Sequence, residues 1–409
     1  MKRIVILGAG TAGTMMANKL ARVLPAAQWQ VTVIDRDDAH VYQPGLLFVP
    51  FGDYRADQIV RSRRPLIDSR VELRLDGVER VEPEASTVVQ PNGRKLHYDV
   101  LIVATGSQIL PEQTPGLSET GWRKSAFDFY TVEGAQALAG ALDSFKGGRF
   151  VVNVVEMPIK CPVAPLELLF LADAYFTKRG IRDKVEIVYA TPLVGAFTKP
   201  KCSAVLGDML GNRKIDVIGD FNTSEVDGNQ QVLKAFDGRE TPYDMLVSIP
   251  LHGGADVITR SGMGDAGGWF PTHKHTLQSK AFPNVFGIGD ATDLPASKAG
   301  AVAHFQGDVL IDNVQRYIAG RELEPAFDGH ANCFIETGFG KAMLIDFNYD
   351  TEPLPGRFPL PGVGPFTLLE ESATNHWGKL AFKWVYWNQL LPGNELPLDH
   401  RMSMAGKWS

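Results

Sequence analysis

Three thiols, Cys161, Cys202 and Cys333, are the side chains of this sequence best suited to redox chemistry. They are too few and too widely spaced for a secreted disulfide scaffold or a zinc site, each of which needs several closely placed thiols. Cys161 lies in Met157-Pro158-Ile159-Lys160-Cys161-Pro162, between an apolar run at Val151 to Val155 and a helical pattern from Val163 to Lys178. A helix N-terminus and the adjacent Lys160 would both favour a thiolate there, and the thiolate is the form that attacks sulfur. A cysteine at a strand end is otherwise more often a small buried residue. Cys333 opens a strand-like run far downstream, in Asn332-Cys333-Phe334-Ile335-Glu336. That separation excludes a CxxC motif and leaves pairing in space open. Cys202, in Lys199-Pro200-Lys201-Cys202-Ser203, is expected to be structural, at the start of a helix from Ser203 to Asn212.

The elements that must position these thiols read as strand and helix in alternation. Arg3 to Leu7 is an apolar strand, followed by Gly8-Ala9-Gly10-Thr11-Ala12-Gly13, a helical pattern, and a second strand, Val31 to Ile34, that ends in Asp35. Glycines before a helix let a backbone approach a pyrophosphate, and a carboxylate about twenty residues on can accept from a ribose hydroxyl. Val71 to Tyr98 reads as short antiparallel strands broken by Asp76-Gly77 and Asn92-Gly93. Asp99 to Gly106 is a strand ending in Ala104-Thr105-Gly106, and Asn284 to Ala291 is a strand ending in Gly289-Asp290, followed by a helix from about Lys298 to Ile318. Between these marks, Phe150 to Ser248 repeats the alternation, but its first strand opens onto the Cys161 loop where nucleotide glycines would stand. We therefore expect an α/β fold of two doubly wound, Rossmann-like domains, the second inserted in the first, with no NAD glycine motif in the second. The expected boundaries are 1–110 with 280–325, 111–279, and a C-terminal region 326–409.

In this order the marks resemble a two-dinucleotide-domain flavoprotein from Met1 to about Gly320. That resemblance implies FAD held by Gly8, Gly10, Thr11, Ala12, Gly13, Asp35, Thr105, Gly106, Gly289 and Asp290, with the following helix and Lys298 adding positive charge at the flavin. Across the whole chain, Lys160-Cys161-Pro162-Val163-Ala164-Pro165-Leu166-Glu167, Phe197 to Pro200, Ser297 to Gly307, Asn332 to Gly338 and Asn375 to Gly393 resemble the sulfide:quinone oxidoreductases. The resemblance implies that Cys161 and Cys333 form the sulfur centre. Sulfide would attack their disulfide or sulfur-bridged form, and the thiolate nearer the flavin, assigned to Cys333, would pass electrons to FAD. Glu167 is then the candidate acceptor of the hydrosulfide proton. The segment Phe127-Asp128-Phe129-Tyr130 lacks the further thiol that some family members carry, so FAD is expected to be non-covalent. Phe334 and Phe366 are candidates for sandwiching the ring of a membrane quinone.

The remaining features bound these expectations. A net charge of -6 without a basic stripe excludes a nucleic-acid protein, and the nine histidines show no ligand spacing, so no metal is expected. His376 to Leu391 is helical by period, with Trp377, Leu380, Ala381, Trp384, Val385 and Leu391 on one side and Lys379 and Lys383 as its charges. At about 24 Å it is too short to span a bilayer, but its tryptophans and lysines suit the lipid interface. We expect a monotopic protein on the bilayer surface, with no cleavable signal peptide because the N-terminus enters a strand at once. A homo-oligomer through the same block stays open. The rival readings are a type II NADH:quinone reductase and a flavin-based sulfur sensor without turnover.

Overall fold

Residues 1–408 are described by a computed structural model. The run Lys2–Leu7, apolar from Ile4 on, is the centre of a parallel five-stranded sheet because both faces of it are covered. The strand order is Val285–Gly287, Val100–Val103, Lys2–Leu7, Trp29–Ile34 and Glu72–Arg74, so a strand from late in the chain closes a sheet begun at its start. A second parallel sheet runs Ala126–Phe127, Met245–Ile249, Gly148–Val154, Val185–Ala190 and Ile215–Ile218. The helices are α1 (Thr11–Val23), α2 (Val132–Ser144), α3 (Ala164–Lys178), α4 (Pro200–Asn212), the short α5 (Asp256–Arg260), α6 (Gly300–Ile318) and α7 (Ala373–Val385). Two doubly wound units, the second inserted in the first, are the architecture expected above.

The third sheet, ordered Ala331–Gly338, Lys341–Phe347, Gly364–Leu368 and Gly356–Leu360, is largely antiparallel and carries Cys333. It is wedged between α3 and α7, which brings the second unit and the C-terminal helix to the same strand. Four details depart from the sequence reading. Glu72–Arg74 joins the parallel sheet, leaving Arg80–Glu82, Thr87–Val89 and Lys95–His97 as the antiparallel insert. α4 begins at Pro200, a residue suited to the first helical position, which places Cys202 within its first turn. α6 begins at Gly300, so Lys298 lies ahead of it. α7 ends at Val385 and gives way to a π-turn, Tyr386–Leu390. Among the described residues, no helix is long and apolar enough to cross a membrane.

Candidate active site

The glycine loop has the shape a dinucleotide requires. Gly8 has φ +95°, and a Cβ there would lie 2.5 Å from the Ala104 carbonyl oxygen. At Gly13 a Cβ would collide with the Gly8 carbonyl, so that glycine lets α1 close onto the first strand. Gly10, between them, would meet nothing within 4 Å, which is open space in front of the α1 N-terminus. The hydroxyl of Thr105 is buried without a protein partner. Asp35 ends the second strand as expected and accepts from the Ala9 and Arg36 amides at 2.7 Å each. It also pairs with Arg63, whose hydrogen bond and charge hold the carboxyl below its ordinary range against the opposing effect of burial. A carboxylate with about four acceptor positions keeps capacity for a ribose hydroxyl. The residues therefore fit FAD.

At the other end of the site, burial raises the Asp290 carboxyl, opposed by Lys298 and Lys160. The Lys298 ammonium is neither solvated nor free. It donates to the carbonyls of Thr292 (2.6 Å) and Asp290 (3.2 Å) and lies 4.0 Å from the centre of the Trp269 ring. Burial lowers it to about 8. Its positive charge therefore braces the Gly289-Asp290 turn.

Cys161 sits just ahead of α3 with φ +49°, a left-handed conformation uncommon for a residue with a side chain. The loop is held there by its own backbone: the Cys161 amide donates to the Lys298 carbonyl at 2.7 Å, and the Ala164 amide donates to the Cys161 carbonyl at 2.9 Å. The thiols of Cys161 and Cys333 are free and half-buried, and both feel the charges of Glu167 and Lys379. The expectation of a low Cys161 pKa is overturned. Burial pushes that thiol well up, the charges of Glu167 and Cys333 add to the rise, and Lys379 opposes it. Lys160 does not supply the expected charge at full strength, because it is itself buried, with its pKa lowered, and packs toward the Tyr130 ring at 5.8 Å. Burial also pushes Cys333 up, to about 12, with Lys379 as the main opposing charge. Cys202 is fully buried in the core.

Glu167 is not a surface carboxylate: it is 1% exposed in the first turn of α3 and accepts from the Glu336 amide at 2.7 Å. Its partner is Lys379 of α7, which also donates to the Phe334 carbonyl at 3.1 Å. Although burial would lower it, the Lys379 ammonium is held above its ordinary value by Glu167, Cys161 and Glu336. His376, one turn earlier, lies 3.0 Å from Glu336, whose carboxyl burial raises. Lys379 is thus not a lysine at the lipid interface, as its place in an aromatic helix suggests, but faces inward. Helix period carried the signal, since two residues past Trp377 is about 200° around the helix, on the side opposite the tryptophan. Sequence reasoning also missed Arg63, His40 and Tyr386, whose partners are remote in the chain.

On the outer side of α7, Trp377 (67% exposed), Ala381 and Trp384 (61% exposed) form a solvent-facing apolar stripe, whereas Leu391 is buried. Phe334 and Phe366 pack edge to face, with centroids 5.3 Å apart at 78°. In edge contact the two rings leave no slot between them for a third ring, so they do not form the sandwich expected from the sequence. A separate cleft of about 630 Å³ opens beside Met157 and Pro158, lined also by Gln108, His252 and Trp269, and it contains none of the residues expected to hold FAD or sulfur.

Residues 2–152 match the family described as pyridine nucleotide-disulphide oxidoreductase. The solved structure of the sulfide:quinone oxidoreductase from Aquifex aeolicus superposes with a TM-score of 0.81, covering 96% of this chain and 92% of that one; at 20% identity this likeness concerns the fold. The mitochondrial sulfide:quinone oxidoreductase of Dictyostelium discoideum is 28% identical over 96% of this chain and 86% of its own length. That of Mus musculus is 31% identical over 95% of this chain and 86% of its own length. With that identity sustained over nearly the whole of both chains, this protein belongs to the sulfide:quinone oxidoreductase family.

Proposed function

We propose that the chain oxidises sulfide at Cys161 and Cys333 and delivers two electrons through FAD to a quinone beside α7. One observation carries the reading: the loop that stands where a nucleotide loop would be holds a thiol ahead of α3, and the Glu167–Lys379 pair ties α3 to the strand that carries the second thiol, Cys333. FAD, when bound at the glycine loop, supplies the two-electron carrier between thiols and quinone.

In the oxidised pair, hydrosulfide attacks the Cys161 sulfur. The bond to Cys333 breaks, Cys161 becomes a persulfide, Cys333 leaves as a thiolate, and the hydrosulfide proton passes to Glu167. Lys379, the main charge opposing the rise of the Cys333 thiol, stabilises that thiolate. Two electrons leave the persulfide and thiolate together as the pair recloses through the added sulfur, ready for a further turn. The quinone takes up those electrons and two protons. Lys379 and Glu167 are paired with each other and bonded to the backbone of the strand that carries Cys333 and Phe334, so they are suited to relay protons along it. The stripe of Trp377, Ala381 and Trp384 would rest in a lipid surface, bringing the quinone side of α7 to the bilayer. The domain boundaries at about residues 110, 280 and 325 belong to this reading, as does non-covalent FAD.

The test is anaerobic mixing of the detergent-solubilised holoenzyme with sulfide. Flavin bleaching and recovery on adding decylubiquinone are expected, and Cys161→Ser or Cys333→Ser should abolish bleaching while FAD stays bound. Full sulfide-dependent reduction in either variant, or bleaching by NADH instead of sulfide, would overturn the proposal.

A further inference from the structure

After α7 the chain does not leave the body of the protein. The segment Tyr386 to Gly393 runs back along α1, where Asn18 donates to the Leu391 carbonyl at 2.8 Å and Arg22 donates to the Gly393 carbonyl at 3.0 Å. At the head of α1 the contact is of a different kind. The Tyr386 hydroxyl, fully buried, lies 2.8 Å from Thr11 Oγ1 and 2.7 Å from Nε2 of His40. The other ring nitrogen of His40, Nδ1, lies 3.2 Å from the Ala9 carbonyl oxygen.

The directions of these bonds follow from chemistry. A carbonyl oxygen only accepts, so Nδ1 carries the imidazole proton and Nε2 carries the lone pair. Tyr386 therefore donates to His40, and its oxygen accepts from the Thr11 hydroxyl. His40 stays neutral, because burial and the Arg63 charge lower it to about 4. The chain of bonds leaves the glycine loop at Thr11 and returns to it at Ala9, closing a ring around Gly10. Gly10 is the position that faces open space at the α1 N-terminus.

We propose that Tyr386 and His40 form a clamp that sets the glycine loop for FAD, so that cofactor retention and seating of the C-terminal segment reinforce one another. The proposal rests on FAD occupying the glycine loop and not on the sulfur chemistry. With its proton committed to Tyr386, Thr11 leaves the pyrophosphate to the loop's backbone amides, and those amides are held in place before the cofactor arrives. Without the tyrosine hydroxyl, a buried lone pair on His40 has no donor, Thr11 is free to turn, and binding must order the loop itself. Reciprocity requires that FAD in turn steady the segment that holds the loop.

Tyr386→Phe in the full-length holoenzyme tests this through two readouts independent of sulfide. Release of FAD on dilution, followed by recovery of flavin fluorescence, should be about tenfold faster than in the unaltered protein, the size expected when one buried hydrogen bond is lost and its acceptor stranded. Hydrogen exchange of the amides of residues 386–393 should slow when FAD is added to the unaltered apoprotein, and this effect should shrink in the variant. A purely structural role would lower the unfolding temperature of apo and holo forms equally and leave the release rate unchanged. Should Tyr386→Phe fail to fold, Thr11→Val removes the other hydroxyl and is expected to speed release in the same sense. Unchanged release in the folded variants, or exchange at 386–393 indifferent to FAD, would overturn the clamp.

Discussion

Replacing Lys379 by methionine isolates the electrostatics of the proposed sulfur centre. The ammonium is the charge that opposes the rise of both thiols, and it is the partner of Glu167, which is 1% exposed. Removing one member of a buried pair strands the other, typically at about 3–5 kcal/mol. Glu167 can escape part of that penalty by taking up a proton, which disables it as a proton acceptor. The thiols, losing a nearby cation, should titrate about one unit higher, which leaves roughly tenfold less thiolate at a given pH. In Lys379→Met, stopped-flow reduction of the flavin by sulfide should therefore slow by about tenfold or more near neutral pH, and the ascending limb of its pH profile should move upward by about one unit. Lys379→Arg keeps the charge and should leave that limb near its original place. Combining Lys379→Met with Glu167→Gln should recover much of the lost stability, since no buried charge is stranded, without recovering the rate. A slowed enzyme whose pH profile does not move would refute the electrostatic role and reduce Lys379 to packing.

Three further outcomes follow from the same geometry. Trp377→Ser together with Trp384→Ser removes most of the exposed stripe on α7, and co-sedimentation with liposomes should weaken on the order of tenfold per tryptophan, given about 1.5–3 kcal/mol for burying a large apolar side chain; unchanged sedimentation would exclude α7 as the anchor. Gly378→Ala would ordinarily stabilise a helix by about 1 kcal/mol, but here a Cβ would stand 2.5 Å from the Phe366 ring and 2.9 Å from Phe334. A lowered unfolding temperature and a raised KM for quinone, with sulfide-dependent flavin reduction intact, are expected, and a rise in unfolding temperature would contradict the packing. Finally, burial lowers His40 to about 4 and His252 to about 3, both from 6.5. Depressed folded-state values mean that stability is complete above pH 6.5 and falls as the pH drops toward those values, by about 2 kcal/mol per histidine at pH 5. Urea midpoints at pH 7.5 and 5 should show this fall, His252→Gln should lessen it, and coincident midpoints would count against neutral buried imidazoles.

The legible parts of this protein are those whose constraint is local. Gly8, Gly10 and Gly13 announce a pyrophosphate loop because backbone approach depends on the absence of a side chain at those positions. Cys161 stands out because the same reasoning fails at the second sheet, where a thiol occupies the turn. What the chain order conceals is how charges meet. Lys160 is adjacent to Cys161 and looks like its activator, yet it is buried near Tyr130, while the ammonium that acts on both thiols comes from residue 379. Arg63 reaches Asp35, and Tyr386 reaches Thr11, through the same kind of tertiary closure.

That closure also explains why α7 cannot be regarded as an appended membrane anchor. A carboxylate in the first turn of α3 complements the positive end of that helix, but a nearly inaccessible one needs a specific cation, and Lys379 supplies it across 212 residues. Trp377 and Trp384 lie on the opposite side of the same helix, facing outward. The same helix thus carries the cation that acts on Cys161 and Cys333 inward and an apolar surface outward. Any shift of α7 on its bed would alter the surroundings of both thiols and of Phe334 and Phe366 together, so in the proposed chemistry the seating of this helix joins the two half-reactions.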